Sequence, residues 1–276
     1  MQNSLGGLIT TYDCNSWCKR VEIEMRGNAV IAAQLCVTAT FLSQLRAVAS
    51  QSDRNSKHGQ TLFELLYYWA REDDFMKKLE HELEIRSDHT VIDWRNFCRD
   101  VCATYYINNP QQVGGVGHIV QIDESCFGKR KYNRGRVMEY QRWVFGGIDT
   151  TTNKCFMVLV EQRDRATLIP IIEQFILPGS IIHSDGWKAY NSLRNYSNYT
   201  YASVNHSKFF IDPVTGVHTQ SIENTWMRVK RKQKKQGRMC RSLLPTYREE
   251  FVWREDFGDK PLKNIILQIR SIYPVQ

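Results

Sequence analysis

No CxxC occurs anywhere in the 276 residues. That absence removes the usual spacing of a zinc ribbon or a thioredoxin-like redox pair. The eight cysteines (14, 18, 36, 98, 102, 126, 155 and 240) include two CxxxC pairs, Cys14/Cys18 and Cys98/Cys102. Cys14 and Cys18 could supply half of a zinc site, but no second pair has the spacing to complete one. Cys98 and Cys102 fall four apart on a helical pattern and read as small buried residues. No secretory signal opens the sequence, so the expectation is a reducing intracellular compartment with unpaired thiols. Long apolar runs are missing too. "AVIAAQLCVTATFLSQL" (29–45) is broken by Gln34, Thr38, Thr40, Ser43 and Gln44, and falls short of the roughly 20 apolar residues that a membrane span needs. It reads as a buried helix, and no membrane partner is expected. There is no internal repeat, and His183, His206 and His218 form no HxxxH pair of a zinc hydrolase.

One further absence is local. Between Trp226 and Arg241 there is no Asp or Glu, while eight Lys or Arg crowd the window. The net charge of the whole chain is +8 and its pI is near 9.0. The window therefore carries the full excess, and the remaining residues balance. A basic stripe on a neutral body points to a polyanionic partner, nucleic acid before an anionic membrane surface. A solvated helix face or a nuclear-import signal would look the same, and either is compatible with DNA contact. With 24% charged and 42% apolar residues the chain has an ordinary globular composition and is long enough to bury a core.

Three regions differ in texture. Residues 1–60 show no clear periodicity and end in a polar linker-like stretch, "SQSDRNSKHGQ". Residues 61–112 read as helical. Leu62, Leu65, Leu66 and Trp69 share one face, Phe75, Leu79, Leu83 and Ile85 follow, and a third stripe runs through Val91, Trp94, Phe97, Cys98 and Val101. Ser87 or Asp88 would cap that third helix. Short helices joined by a polar turn, with His89, Thr90, Asp93 and Arg95 near the last start, fit a helix-turn-helix; a plain helical packing unit is the alternative. Residues 113–276 turn β-rich. The expected order is βββαβαβα, with a hairpin over "RWVFGGID" and "KCFMVLVEQ" and a long helix from about Thr219 to Gln236. This predicts an α/β fold with a mixed sheet.

Within it three acids stand out. Asp123 lies on the first strand, Asp185 ends a later strand, where open α/β sheets place their sites, and Glu223 opens the basic helix. Glu124 would face away from Asp123 across the strand, and Asp149 reads as a turn residue. The three acids are separated by 62 and 38 residues, yet a sheet with a helix packed on it could bring them together. Converging carboxylates raise one another's pKa unless cations neutralise them, and Mg²⁺ or Mn²⁺ suits oxygen donors and phosphate.

The linked motifs "QIDES", "GKRKYNRGR", "WVFGGID", "IHSDGWKAY", "VNHSKFFIDPVTGVHTQSIENTWMRVKRK" and "YREEFVWRE" resemble the Merlin group of cut-and-paste DNA transposases and their bacterial insertion-sequence relatives. The resemblance runs from about Thr61 to the C-terminus. It implies an RNase H-like catalytic domain (113–276), preceded by the helix-turn-helix-like region, with 1–60 as a diverged or truncated N-terminal segment in which only "CNSWC" hints at the zinc ribbon that relatives often carry. It implies a DDE triad of Asp123, Asp185 and Glu223, with Asn224 as the alternative third residue. Two Mg²⁺ or Mn²⁺ ions about 3.5 to 4 Å apart would share Asp123, with Asp185 and Glu223 holding one each. The implied activity is metal-dependent DNA cleavage and strand transfer on element termini and target DNA by a homodimer or larger assembly. The location would be the nucleus in a eukaryote, and the cytoplasm or nucleoid otherwise. Arg228, Lys230, Arg231, Lys232, Lys234 and Lys235 would hold the DNA backbone. A transposase-derived protein that binds DNA without cutting it is the alternative.

Overall fold

A computed structural model describes residues 57–85, 88–127, 142–206, 208–235 and 244–274. Cys14, Cys18, the 29–45 stretch, Ser87, the "GKRKYNRGR" motif and Cys240 lie outside the described residues, as do residues 1–56 of the expected N-terminal segment 1–60. The chain divides into two compact units between Asp100 and Val101.

The first unit holds α1 (Lys57–Ala70), α2 (Met76–Glu82) and the start of α3 (Asp88–Asn108). Leu65, Leu66, Trp69, Leu79, Val91, Trp94, Phe97 and Cys98 are buried, so the helical spacing read from the sequence selects the packed faces. Phe75 departs from its expected stripe. It precedes α2 in an extended conformation and is 49% exposed, because α2 is too short to present more than Leu79 inward. Arg95 donates through Nε to Asp74 at 2.6 Å, which ties the turn before α2 to α3.

The second unit is built on a five-stranded sheet, β2 (Ile119–Phe127), β3 (Arg142–Asp149), β4 (Cys155–Val160), β6 (Ile181–Asp185) and β7 (Thr200–Val204), ordered β4-β3-β2-β6-β7. β2, β3 and β4 form an antiparallel meander. β6 runs parallel to β2, and β7 parallel to β6. This is a mixed sheet, as expected: three meandering strands, then parallel strands reached through helical crossovers. The crossovers are α4 (Arg165–Phe175) and a 3₁₀ helix (Lys188–Asn195) where the sequence suggested an α-helix. Two-residue strands β1 (Val113–Gly114) and β5 (Ile176–Leu177) pair beside the sheet. The β3–β4 turn closes on Asp149, which accepts from the Thr151 N–H at 2.8 Å and faces His118 Nδ1 at 2.8 Å. Its role is structural, in line with its turn position.

Period-two alternation gives the sheet two apolar faces. Val120, Ile122, Phe145 and Phe156 pack with Leu168 and Ile172 of α4 and Tyr190 of the 3₁₀ helix. Val144, Ile148 and Met157 pack on the other side with Ile222 and Trp226 of α5 (Gln220–Lys235) and Phe251 and Val252 of α6 (Leu244–Phe257). α7 (Pro261–Ile272) follows, with Ile265 buried. No helix among the described residues is long and apolar enough to cross a membrane.

Candidate active site

Strand register brings the first two acids together. β2 and β6 pair in parallel up to Gln121 and His183, and Asp123 and Asp185 each lie two residues further along. Two residues restore the same face of a strand, and neighbouring strands are about 4.8 Å apart, so both carboxylates emerge on one face at adjacent strand ends. Asp185 Oδ1 accepts the N–H of Trp187 at 3.1 Å, in the turn that leaves β6.

Trp226 of α5 covers Asp123. Its indole Nε1 donates to Asp123 Oδ2 at 3.1 Å. Room for the ring comes from Gly146, which lies opposite Asp123 in β3; a methyl there would stand 2.8 Å from the Trp226 ring. Trp226 therefore packs the helix on the sheet and orients the carboxylate with the same side chain.

Glu223 sits in the first turn of α5. Thr219 Oγ1 donates to Glu223 Oε1 at 2.9 Å, and His206 Nε2 lies 3.4 Å from the same oxygen and 2.7 Å from Thr219 Oγ1. The start of α5 is fastened to the sheet by Gln121, which is 1% exposed. Its Oε1 accepts the N–H groups of Ser221 (2.8 Å) and Ile222 (3.2 Å), two of the donors that a helix start leaves unpaired. Gln121 is two residues before Asp123, so the strand that carries the first acid also anchors the helix that carries the third.

The electrostatics match that convergence. Burial, then the charge of Asp185 and the weaker influence of Glu223, push the Asp123 carboxyl up to about 7, against the opposing Glu124 N–H and Trp226 indole. Glu124 does face the other side, where Tyr190 donates to it and Arg163 Nη1 lies 4.0 Å away. Burial and the charges of Asp123 and Asp185 push Glu124 up to about 8. The Arg163 guanidinium lies 3.6 Å from the Trp143 ring centre and 5.2 Å from that of Trp187.

Among the described residues, no three His, Cys, Asp or Glu side chains are gathered around one point that could hold an ion. The chemistry of the donor set nevertheless suits a hard divalent cation: oxygen donors alone, two of them side by side and one already raised by burial and its neighbour's charge. Glu223 is engaged by Thr219 and His206, and Asn224 beside it is exposed.

The basic run separates into two faces. Arg228 makes a two-pronged contact with Glu255 at 2.8 and 2.7 Å. Lys232 pairs at 3.0 Å with Glu250, which is 1% exposed and also accepts from Arg254 at 2.8 Å. These two cations serve the α5–α6 contact. Lys230 lies over the Phe127 ring at 5.5 Å, Arg231 and Lys234 are exposed, and the Lys235 side chain is outside the described residues. The sequence assigns Trp226 to packing and gives Gln121 and Thr219 no place in the site, while His206 enters it only as a rejected zinc-ligand candidate. A polar residue two before Asp123 on the same strand face was the one signal available, and it points to Gln121.

A family model described as ISXO2-like transposase domain matches residues 114–256. A Haemophilus influenzae protein named an uncharacterized transposase-like protein is 28% identical over 119 residues, covering 43% of this chain and 93% of the relative. Among solved structures, the HTLV-2 integrase catalytic core domain in complex with magnesium is 14% identical with a TM-score of 0.34, over 51% of this chain and 88% of that one. The BIV integrase catalytic core domain is 11% identical with a TM-score of 0.34, over 56% and 98%.

Proposed function

Because this chain belongs to the ISXO2-like transposase domain family, we propose that it cuts and joins DNA, with Asp123, Asp185 and Glu223 as the carboxylates of the site. The observation that carries this reading is the pair of acids at adjacent parallel strand ends, with Asp123 raised to about 7 by burial and by the neighbouring charge. In this reading Asp123 and Asp185 would hold Mg²⁺ or Mn²⁺, and Glu223 would complete the donor set. Such ions, when bound, lower the pKa of an attacking hydroxyl and stabilise the leaving oxygen. The chain's own residues do the rest. Trp226 fixes the angle of Asp123, Gln121 sets the height of α5 against β2, and the exposed face of α5 with Arg231 and Lys234 holds phosphates. Water attacks the phosphorus at the element end, forms a new P–O bond and breaks the one to the 3′ oxygen, leaving a free 3′-hydroxyl on the element and a 5′-phosphate on the flank. That hydroxyl then attacks a target phosphodiester, forms a new P–O bond and releases the target's own 3′-hydroxyl.

Double-stranded DNA is thus the partner, and joining two ends calls for at least two copies of the chain. Residues 61–112 act as a helix-turn-helix-like DNA-facing region before the core at 113–276. Membership of the Merlin group belongs to the same proposal.

One observation favours a second reading, DNA binding without cleavage: Glu223 is engaged by Thr219 and His206 and the three acids form no ready ion site. Nicking and strand joining of a labelled duplex carrying the element's terminal repeat decides between them. The wild type should nick and join only with Mg²⁺, and Asp185→Asn should lose both. Tight binding with no metal-dependent product would select the second reading, and equal cleavage by the variant would displace the site.

A further inference from the structure

The segment between β7 and α5 carries an apolar patch that neither core uses. Phe209, Phe210, Ile211 and Val214 are 45%, 71%, 47% and 91% exposed. Their backbone is nonetheless held in place. Asp212 Oδ1 accepts from the N–H groups of Val214 (3.0 Å) and Thr215 (2.8 Å). The Asp212 carbonyl accepts from Gly216 at 2.8 Å, and the Asp212 N–H donates to Val217 at 3.0 Å. Gly216 has a φ of 69°, the left-handed conformation such a tight return requires. On the other flank the Phe209 N–H donates to the Asn205 carbonyl at 3.0 Å. Solvent-facing aromatics on a hydrogen-bonded turn cost free energy in water, and a patch of this kind marks a contact site.

Its position identifies the contact. The Phe210 ring meets His206 edge to face, with centroids 6.4 Å apart at 77°, and His206 lies 3.4 Å from Glu223. Whatever rests on Phe210 is one side chain away from the third acid. Four such side chains expose on the order of 400 Å², below the roughly 800 Å² per partner of a stable protein interface. The exposed Lys208 sits beside the patch, and the one acid of the turn, Asp212, is occupied by backbone N–H groups. A flat apolar surface attached to a polyanion meets these conditions, and a nucleic-acid base is that surface.

We propose that Phe210, flanked by Phe209 and Ile211, stacks on a base next to the cleaved phosphodiester and draws it out of the duplex. This rests on the DNA-processing reading of the site and adds how the reacting strand is opened there. A stacked aromatic contributes enough that its truncation weakens binding roughly 5- to 150-fold, and a sequence-tolerant contact of this kind would act at any terminal base.

The test uses the full chain in the Asp185→Asn background and terminal-repeat duplexes with the fluorescent base analogue aminopurine at single positions around the cut. One position should brighten several-fold on binding. Phe210→Ala should abolish that rise and weaken binding at least 5-fold, and Phe210→Trp should keep the affinity. If Phe210→Ala binds with unchanged affinity and fluorescence while the wild type still nicks with Mg²⁺, the wedge is refuted and the cleavage reading stands. If the wild type shows the rise but never nicks, the wedge stands and the cleavage reading falls. Loss of a wild-type dimer in Phe210→Ala by sedimentation, without any fluorescence rise, would assign the patch to a second copy and overturn the proposal.

Discussion

Gln121→Met removes the carboxamide, with its Oε1 acceptor and the Nε2 that faces His218 at 3.3 Å, and should loosen the helix that carries Glu223. The side chain is 1% exposed, and its Oε1 takes the N–H groups of Ser221 and Ile222 at 2.8 and 3.2 Å. Methionine fills nearly the same volume, so a cavity term is small. The cost is two buried donors without an acceptor, about 1–3 kcal/mol for such a loss, in line with the ~1 kcal/mol typical of a removed helix cap. Taking about 2 kcal/mol, and about 2–4 °C per kcal/mol for a domain of this size, the Tm should fall by about 4–8 °C. Gln121→Glu keeps an acceptor at the same reach and should recover at least half of the loss. Calorimetry at pH 5 is the suitable assay, because Asp123, raised to about 7, is then uncharged and repels the new carboxyl little. A Gln121→Met protein that melts with the wild type, or a Gln121→Glu protein as unstable as the methionine variant, would refute the anchoring role.

Stability should also fall with pH in metal-free buffer. Asp123 is raised from 3.8 to about 7, and Glu124 from 4.5 to about 8. The folded state therefore holds these protons more tightly than the unfolded one. Their contribution is complete below about pH 4 and is lost as pH rises through about 7 to 8. Asp123→Asn should out-melt the wild type at pH 8 by a few degrees, with the gap closing toward pH 5; a variant that melts lower at pH 8 contradicts the argument from burial and neighbouring charge. In the basic run, Arg231→Gln and Lys234→Gln should each reduce the slope of log affinity against log salt by about one without changing the Tm. Lys232→Gln should instead cost about 1–3 kcal/mol of stability, since Glu250 is buried and loses a charged partner. Titrations across salt, paired with melts, separate the two sets, and identical behaviour would erase the two-faced reading of α5.

What the sequence determined is what short-range periodicity encodes. Alternation over "HIVQIDESCF" makes β2 a strand with Asp123 and Glu124 on opposite faces, and 3.6-residue spacing places Ile222, Trp226 and Val229 on the buried side of α5. The linked motifs pointed to the transposase family and to a mixed α/β sheet. The 3₁₀ helix at Lys188–Asn195 escaped, because inward residues three apart, Tyr190 and Leu193, fit an α-helix equally well. Only the tertiary structure decided which partner each polar group found. Gln121 reaches across 100 residues to the start of α5, His206 meets Glu223, and the indole of Trp226 turns from filler to donor because Gly146 leaves it space. The fate of the basic run was settled the same way, since Arg228 and Lys232 are claimed by Glu255 and Glu250 of α6. A charge run has no face until its helix docks. Hydrogen bonds and ion pairs act over a few ångströms, and the chain distance between their partners is set by the fold.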